Sequence, residues 1–158
     1  MPIYGRFFSP KDLRLMESFN NELLEDIIQV TVTLFKISPV DTETNIYGET
    51  DNQTGKIFFP GVNLVCLVDS EETSAPLENF GPDRSQNSIF KFKRSNLINV
   101  NLYPEIGDLV YYNTRYFEID NVVDDNQFLG GQPTKVFSIT VHTHYTRLSS
   151  INLVSRQL

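Results

Sequence analysis

Apolar residues near the start of the chain recur at three- and four-residue steps: Leu13, Met16, Phe19, Leu23 and Ile27, with Leu24 and Ile28 widening the stripe. That period marks one face of a helix. Ser9 is placed to cap it, Pro10 suits its first position, and Asp12 falls where a carboxylate reaches back to the cap. The spacing predicts a helix from Pro10 to Ile28, capped at Ser9 and roughly 28 Å long at 1.5 Å per residue, with its apolar face packed on a sheet. Glu22, Glu25 and Asp26 make its polar face acidic, unlike the basic face of a lipid-surface helix.

After Gln29 the pattern turns to β. Val30 to Ile37 is rich in branched and aromatic residues and ends at Ser38-Pro39. Asp41 to Gly55 reads as a polar connection containing Ile46-Tyr47-Gly48. Ile57 to Val68 is β again, broken at Pro60-Gly61. Asp69 to Asn87, with Pro76, Gly81 and Pro82, is the longest loop. Ile89 to Lys93 alternates Phe90 and Phe92 with Lys91 and Lys93. Leu109–Tyr112 and Tyr116–Val123 form a hairpin turning at Asn113-Thr114, with Phe117, Ile119 and Val123 inward and Tyr116, Glu118 and Asp120 outward. Lys135 to Arg147 is the clearest strand, with Phe137, Ile139, Val141 and Tyr145 on one face and Ser138, Thr140, His142, His144 and Thr146 on the other. Many short strands and one long helix predict a mainly β fold, a small closed or half-closed barrel with the helix laid across it. The chain reads as one domain over 1–158: an arm at 1–8, the helix at 9–28, the barrel at 29–147 and a second arm at 148–158.

Composition changes this picture little. The chain is 40% hydrophobic, 12% aromatic and 21% charged, which is an ordinary globular balance. No run approaches the roughly 18 apolar residues of a membrane span. Met1-Pro-Ile-Tyr-Gly-Arg6 has no secretory pattern, so the protein is expected to be made in the cytosol and soluble, with no membrane partner. Formal net charge is −7, which opposes broad affinity for DNA. Between Asp41 and Asp83 nine acids face Lys56 alone, whereas the main basic cluster is Lys91, Lys93 and Arg94.

Candidate chemistry is sparse. Cys66 lies in Val62-Asn-Leu-Val-Cys-Leu-Val68 and reads as a small buried hydrophobe. His142 and His144 share a strand face but lack further ligands, so they read as surface histidines; a metal-dependent enzyme centred on them is one rival reading. Asp124-Asp125-Asn126 reads as a solvated turn, without the glycine and glutamate of a calcium loop. Glu118 and Asp120 form a same-face carboxylate pair with no cleft implied. No phosphate loop, nucleophile elbow or dinucleotide fingerprint occurs. No catalytic residue, metal or cofactor is expected. A second rival is a nucleic-acid-binding barrel using Lys91, Lys93 and Arg94, with Phe90, Phe92 and Tyr111 or Tyr112 stacking on bases. The termini are unusually apolar: Ile3, Tyr4, Phe7 and Phe8 at one end, Ile151, Leu153, Val154 and Leu158 at the other. They either fold back on their own barrel or cover a neighbouring subunit.

Pro104-Glu-Ile-Gly-Asp-Leu-Val-Tyr-Tyr-Asn-Thr-Arg-Tyr-Phe-Glu-Ile-Asp-Asn-Val-Val123, followed by Gln127-Phe-Leu-Gly-Gly-Gln132, resembles the neck protein of contractile-tailed, T4-like bacteriophages. Asn45-Ile-Tyr-Gly-Glu49 and Asn79-Phe-Gly81 occur upstream in the order of that family. The resemblance spans 30–132. It implies a non-enzymatic virion protein of the neck, assembled in the host cytoplasm as a ring of six copies. Such a ring stands between the portal-proximal adaptor and the tail terminator, closes the filled head and passes genomic DNA without specific binding. Another tail-completion or connector role is the alternative within the same class. Under this reading the protein-interface candidates are the arm residues Ile3, Tyr4, Phe7, Phe8, Ile151, Leu153 and Val154. The loop residues Glu71, Glu72, Asp124, Asp125, Gln127, Phe128 and Leu129 join them, and the acids of 41–83 are expected to line the lumen.

Overall fold

A computed structural model describes residues 10–38, 56–70, 77–78, 81–82, 86–125, 136–146 and 151–153. The chain opens with helix α1 (Pro10–Asn21), which widens without a break into π-helical turns over Glu22–Ile28. Gln29 ends it in the left-handed conformation, φ 54°, donating its N–H to the Leu24 carbonyl. The strands are β1 (Thr31–Phe35), β2 (Lys56–Phe58), β3 (Val62–Ser70), β4 (Leu77–Glu78), β5 (Gly81–Pro82), β6 (Asn87–Lys93), β7 (Leu109–Tyr112), β8 (Arg115–Asp125), β9 (Ser138–Thr146) and β10 (Ile151–Leu153). A short helix, α2 (Arg94–Asn99), follows β6.

Six strands close into an antiparallel barrel in the order β1-β3-β6-β9-β8-β7, with β7 returning to β1. Closure removes the sheet edges that would otherwise need covering. The interior is filled by Leu34, Cys66, Phe90, Phe92, Phe117 and Val141, each at most 2% exposed. Phe90 meets Phe117 and Tyr112 edge-on, at centroid separations of 5.7 and 5.9 Å, the geometry aromatic quadrupoles prefer. Among the described residues the barrel interior is therefore filled with side chains.

Local sequence explains the turns. The Pro60-Gly61 break separates β2 from β3, and Gly61 approaches β1 so closely that a Cβ would collide with the Thr33 and Phe35 side chains. Asn113 and Thr114 both take positive φ, 48° and 64°, making the two-residue mirror-image turn that matches strand twist. The Gly-Asp-Leu motif works as a backbone staple. Gly107, at φ 93°, lets the chain turn sharply into β7. Asp108, fully buried, accepts the N–H groups of Ile37 at 3.0 Å and Glu105 at 2.8 Å and meets Lys36 Nζ at 2.9 Å.

Four expectations about the strands need correction, the first being Tyr145, grouped with the inward face of β9 but 37% exposed. Val123, expected inward, is 44% exposed, because the ladder with β9 slips between Ile119 and Asn121 and turns Val122 toward the core instead. Lys93, on the outward phase of β6, is only 4% exposed because α1 covers it. Asp124 and Asp125 are not turn residues: they continue β8, opposite Ile139 and Ser138.

Candidate functional site

The helix carries two apolar rows rather than one. Leu13, Met16, Leu24 and Ile28 are half-buried. Leu15, Phe19, Leu23 and Ile27 are 57%, 62%, 44% and 70% exposed, and no residue of the helix is fully buried. The expected packing of Phe19, Leu23 and Ile27 onto the sheet is thus overturned. The wide turns are part of the reason. In an α-helix a four-residue step drifts about 40° around the axis per turn. Turns closed i to i+5 instead keep residues four to five apart in line, so Leu23 and Ile27 continue the Leu15–Phe19 row.

What holds the helix to the barrel is polar. Lys93 Nζ, at the end of β6, donates to the Glu17 carbonyl at 3.2 Å and to Asn21 Oδ1 at 2.5 Å. An amine inserted into the carbonyl ladder is a recognised cause of helix irregularity, and here it acts just before the π turns begin. Beside this latch lies an open cleft of about 410 Å³ lined by Met16, Phe19, Asn20, Asp125, Phe137 and Ser138. Asp125 Oδ2 lies 3.4 Å from Ser138 Oγ. Asp124 accepts the Tyr103 hydroxyl at 2.7 Å, and that hydrogen bond raises the phenol pKa. Two predicted interface residues therefore sit at the barrel end where α1 crosses.

Of the others, Ile151 and Leu153 lie in β10, whose backbone pairs in parallel with β2 of the same chain. The second arm thus returns to its own body at 151–153. Ile3, Tyr4, Phe7, Phe8, Glu71, Glu72, Gln127, Phe128, Leu129 and Val154 lie outside the described residues. So do the acids of 41–83 except Asp69, which pairs loosely with Lys91 at 3.8 Å, and Glu78, of which only the backbone is described.

The rival chemistries fare differently. Phe90 and Phe92 are core residues and Lys93 is committed to α1, so the proposed base-stacking set does not exist as a surface. Tyr111 packs on Tyr116 at 4.8 Å and Tyr112 on Phe90. Among the described residues no three His, Cys, Asp or Glu side chains come together. His144 Nδ1 lies 2.7 Å from Asp120 Oδ1, and its Nε2 lies 3.4 Å from Thr146 Oγ1. That order imitates a nucleophile–base–acid relay, but it lies on the exposed outer wall with a long final contact, and it reads as a surface polar chain. The expected Glu118–Asp120 pair is split, since Glu118 bonds Lys56. Cys66 is fully buried and burial pushes its thiol up to about 12. Among the described residues no helix is long and apolar enough to cross a membrane.

No protein-family model and no curated protein matches the chain. Among solved structures, a chain of a particle titled as the virion of a native gene transfer agent aligns with a TM-score of 0.44 and 8% identity, covering 73% of this chain and 93% of that chain. Neither figure is high enough to assign a function.

Proposed function

We propose that this chain is a structural virion protein, one copy of a ring in the neck of a contractile-tailed phage particle, joining the DNA-filled head to the tail. The observation that carries the reading is the Leu15, Phe19, Leu23 and Ile27 row, which the described part of the chain leaves in solvent. The row exposes roughly 400 Å² of apolar surface, the size of the largest patch on an ordinary monomer, which is often functional. The ordered sequence pieces that resemble the neck family are the basis for choosing this assembly. The staple residues Gly107 and Asp108, which carry part of that resemblance, build the barrel entry. Because the barrel is filled, the DNA path in this reading lies between copies, at the ring's centre, with the acids of 41–83 facing it. The portal-proximal adaptor and the tail terminator stand above and below. The reading gives no role to catalysis.

Immunogold electron microscopy of whole particles, with antibody raised against the purified chain, tests this. Label at the head–tail joint is expected; label confined to the capsid shell or tail fibres would refute it.

A further inference from the structure

The row on α1 is apolar and acid-edged, and the same chain holds a segment of complementary character. Ile3, Tyr4, Phe7 and Phe8 are apolar, and Arg6 lies among them. We infer that residues 3–8 of one copy dock along the Leu15, Phe19, Leu23 and Ile27 row of a neighbouring copy, with Arg6 beside the Glu22, Glu25 and Asp26 carboxylates. This rests on the assembly reading above and names the joint that reading leaves open.

Charge favours this occupant. Glu22, Glu25 and Asp26 are all exposed, and no Lys or Arg occurs between Arg14 and Lys36. The nearby Lys93 amine is already committed to Glu17 and Asn21. A segment carrying one cation among aromatic side chains therefore meets a surface of opposite sign and matching hydrophobicity.

Reach limits which register the chain's own arm could adopt. Leu23 lies about 20 Å along the axis from Pro10, thirteen residues at 1.5 Å each. Phe7 and Phe8 are three and two residues from Pro10, so even a fully reversed, extended chain carries them at most about 10 Å back along the helix. Their own Leu23 and Ile27 are out of range. Ile3 and Tyr4, seven and six residues from Pro10, span about 20–25 Å and can come level with their own Leu23, so it is the pairing of Phe8 with Leu23 that requires two copies. A neighbour's arm has no such tether. Row and arm together bury roughly 800–1,000 Å², below the ~1,600 Å² of a standard interface. That area suits one joint among several in a ring rather than a free-standing dimer. An arm that leaves one copy and a row that receives it on the next make a head-to-tail contact, the kind that closes into rings.

Cross-linking tests this directly. Phe8→Cys and Leu23→Cys are made in separate chains, each with Cys66→Ala, so that the introduced thiols are the only ones. The two proteins are purified apart, mixed and oxidised. A disulfide between the two different chains is expected, and Arg6→Glu should weaken self-association by roughly tenfold. Glu25→Lys in the same chain as Arg6→Glu should restore it, which a misfolded arm would not allow. If the proteins sediment as rings but form no mixed disulfide, the arm contact is wrong and the ring reading stands. The arm contact is equally wrong if a chain carrying both cysteines cross-links only within itself. If the unsubstituted protein never assembles, both fall.

Discussion

Replacing Asp108 removes the acceptor for three donors at once. Its side chain is fully buried and takes the Ile37 and Glu105 N–H groups together with the Lys36 ammonium. Asp108→Ala leaves two backbone donors without that acceptor and removes one of the two carboxylates at Lys36, whose amine keeps Glu105 at 2.7 Å and the Tyr103 carbonyl at 2.8 Å. Hydrogen bonds to a charged group contribute about 1.5–3 kcal/mol each, and deleting one partner of a buried ion pair costs about 3–5 kcal/mol. The terms overlap, so a loss of about 4 kcal/mol is expected, which is a large share of the 5–15 kcal/mol that holds a domain together. Asp108→Asn should lose about 3 kcal/mol despite its shape, because its amide nitrogen must face one N–H donor. Lys36→Met should lose about 3 kcal/mol, since the carboxylate keeps both backbone donors but is left buried without its counter-ion. The chain has no tryptophan, so urea unfolding followed by far-ultraviolet circular dichroism is the assay. A thermal midpoint lowered by about 10 °C is expected for Asp108→Ala. Stability within about 1 kcal/mol of the unsubstituted protein for Asp108→Ala and Asp108→Asn alike would refute the staple.

Thr114 is a β-branched residue at positive φ, so Thr114→Gly should stabilise by about 1 kcal/mol; a destabilised variant in urea melts would contradict the strained turn. Cys66 titrates near 12 when folded and at an ordinary 9.0 when unfolded. Between those values only the unfolded chain gives up its proton, so stability falls as pH rises from 9, by about 2 kcal/mol at pH 10.5. Cys66→Ala should remove that slope, and parallel alkaline limbs for the two proteins would sink the argument. Lys36, whose burial opposes its charge but whose bonds to Glu105 and Asp108 win and raise its pKa, gives up its contribution only above its ordinary 10.5 and cancels in this comparison. Lys93→Met removes the polar latch, so amide exchange across 10–28 should speed up at least tenfold while that of β6 and β9 stays unchanged; uniform change throughout would mean Lys93 serves the barrel instead.

The barrel is legible in the sequence because its signals are local. Alternation places Phe90, Phe92, Ile139 and Val141 inside, Pro60-Gly61 marks a real break, and Asn113-Thr114 marks a real turn. The misses are non-local. The slip at Asp120 that exchanges Val122 and Val123 depends on how β8 is drawn across β9, which no property of the Val-Val pair announces. Lys93 has the pattern of a surface residue because its burial comes from a helix more than sixty residues upstream. Helix α2, one and a half turns long, carries no cap signal, yet it inserts Leu97 into the core. The helix stripe is apolar, as its spacing indicates, but only half of it is covered. Periodicity reports which residues share a face, whereas the barrel decides how much of that face it can cover. The row it leaves exposed is the candidate site.

Sedimentation velocity of the purified, untagged chain from about 1 to 100 μM tests the central claim most directly. A discrete species of six copies, growing at the expense of monomer as concentration rises and lost when Phe19 and Ile27 are changed to Ser, is the expected result. A single monomeric boundary across the whole range, with the Ser variant indistinguishable from it, would contradict a protein built to be completed by its neighbours.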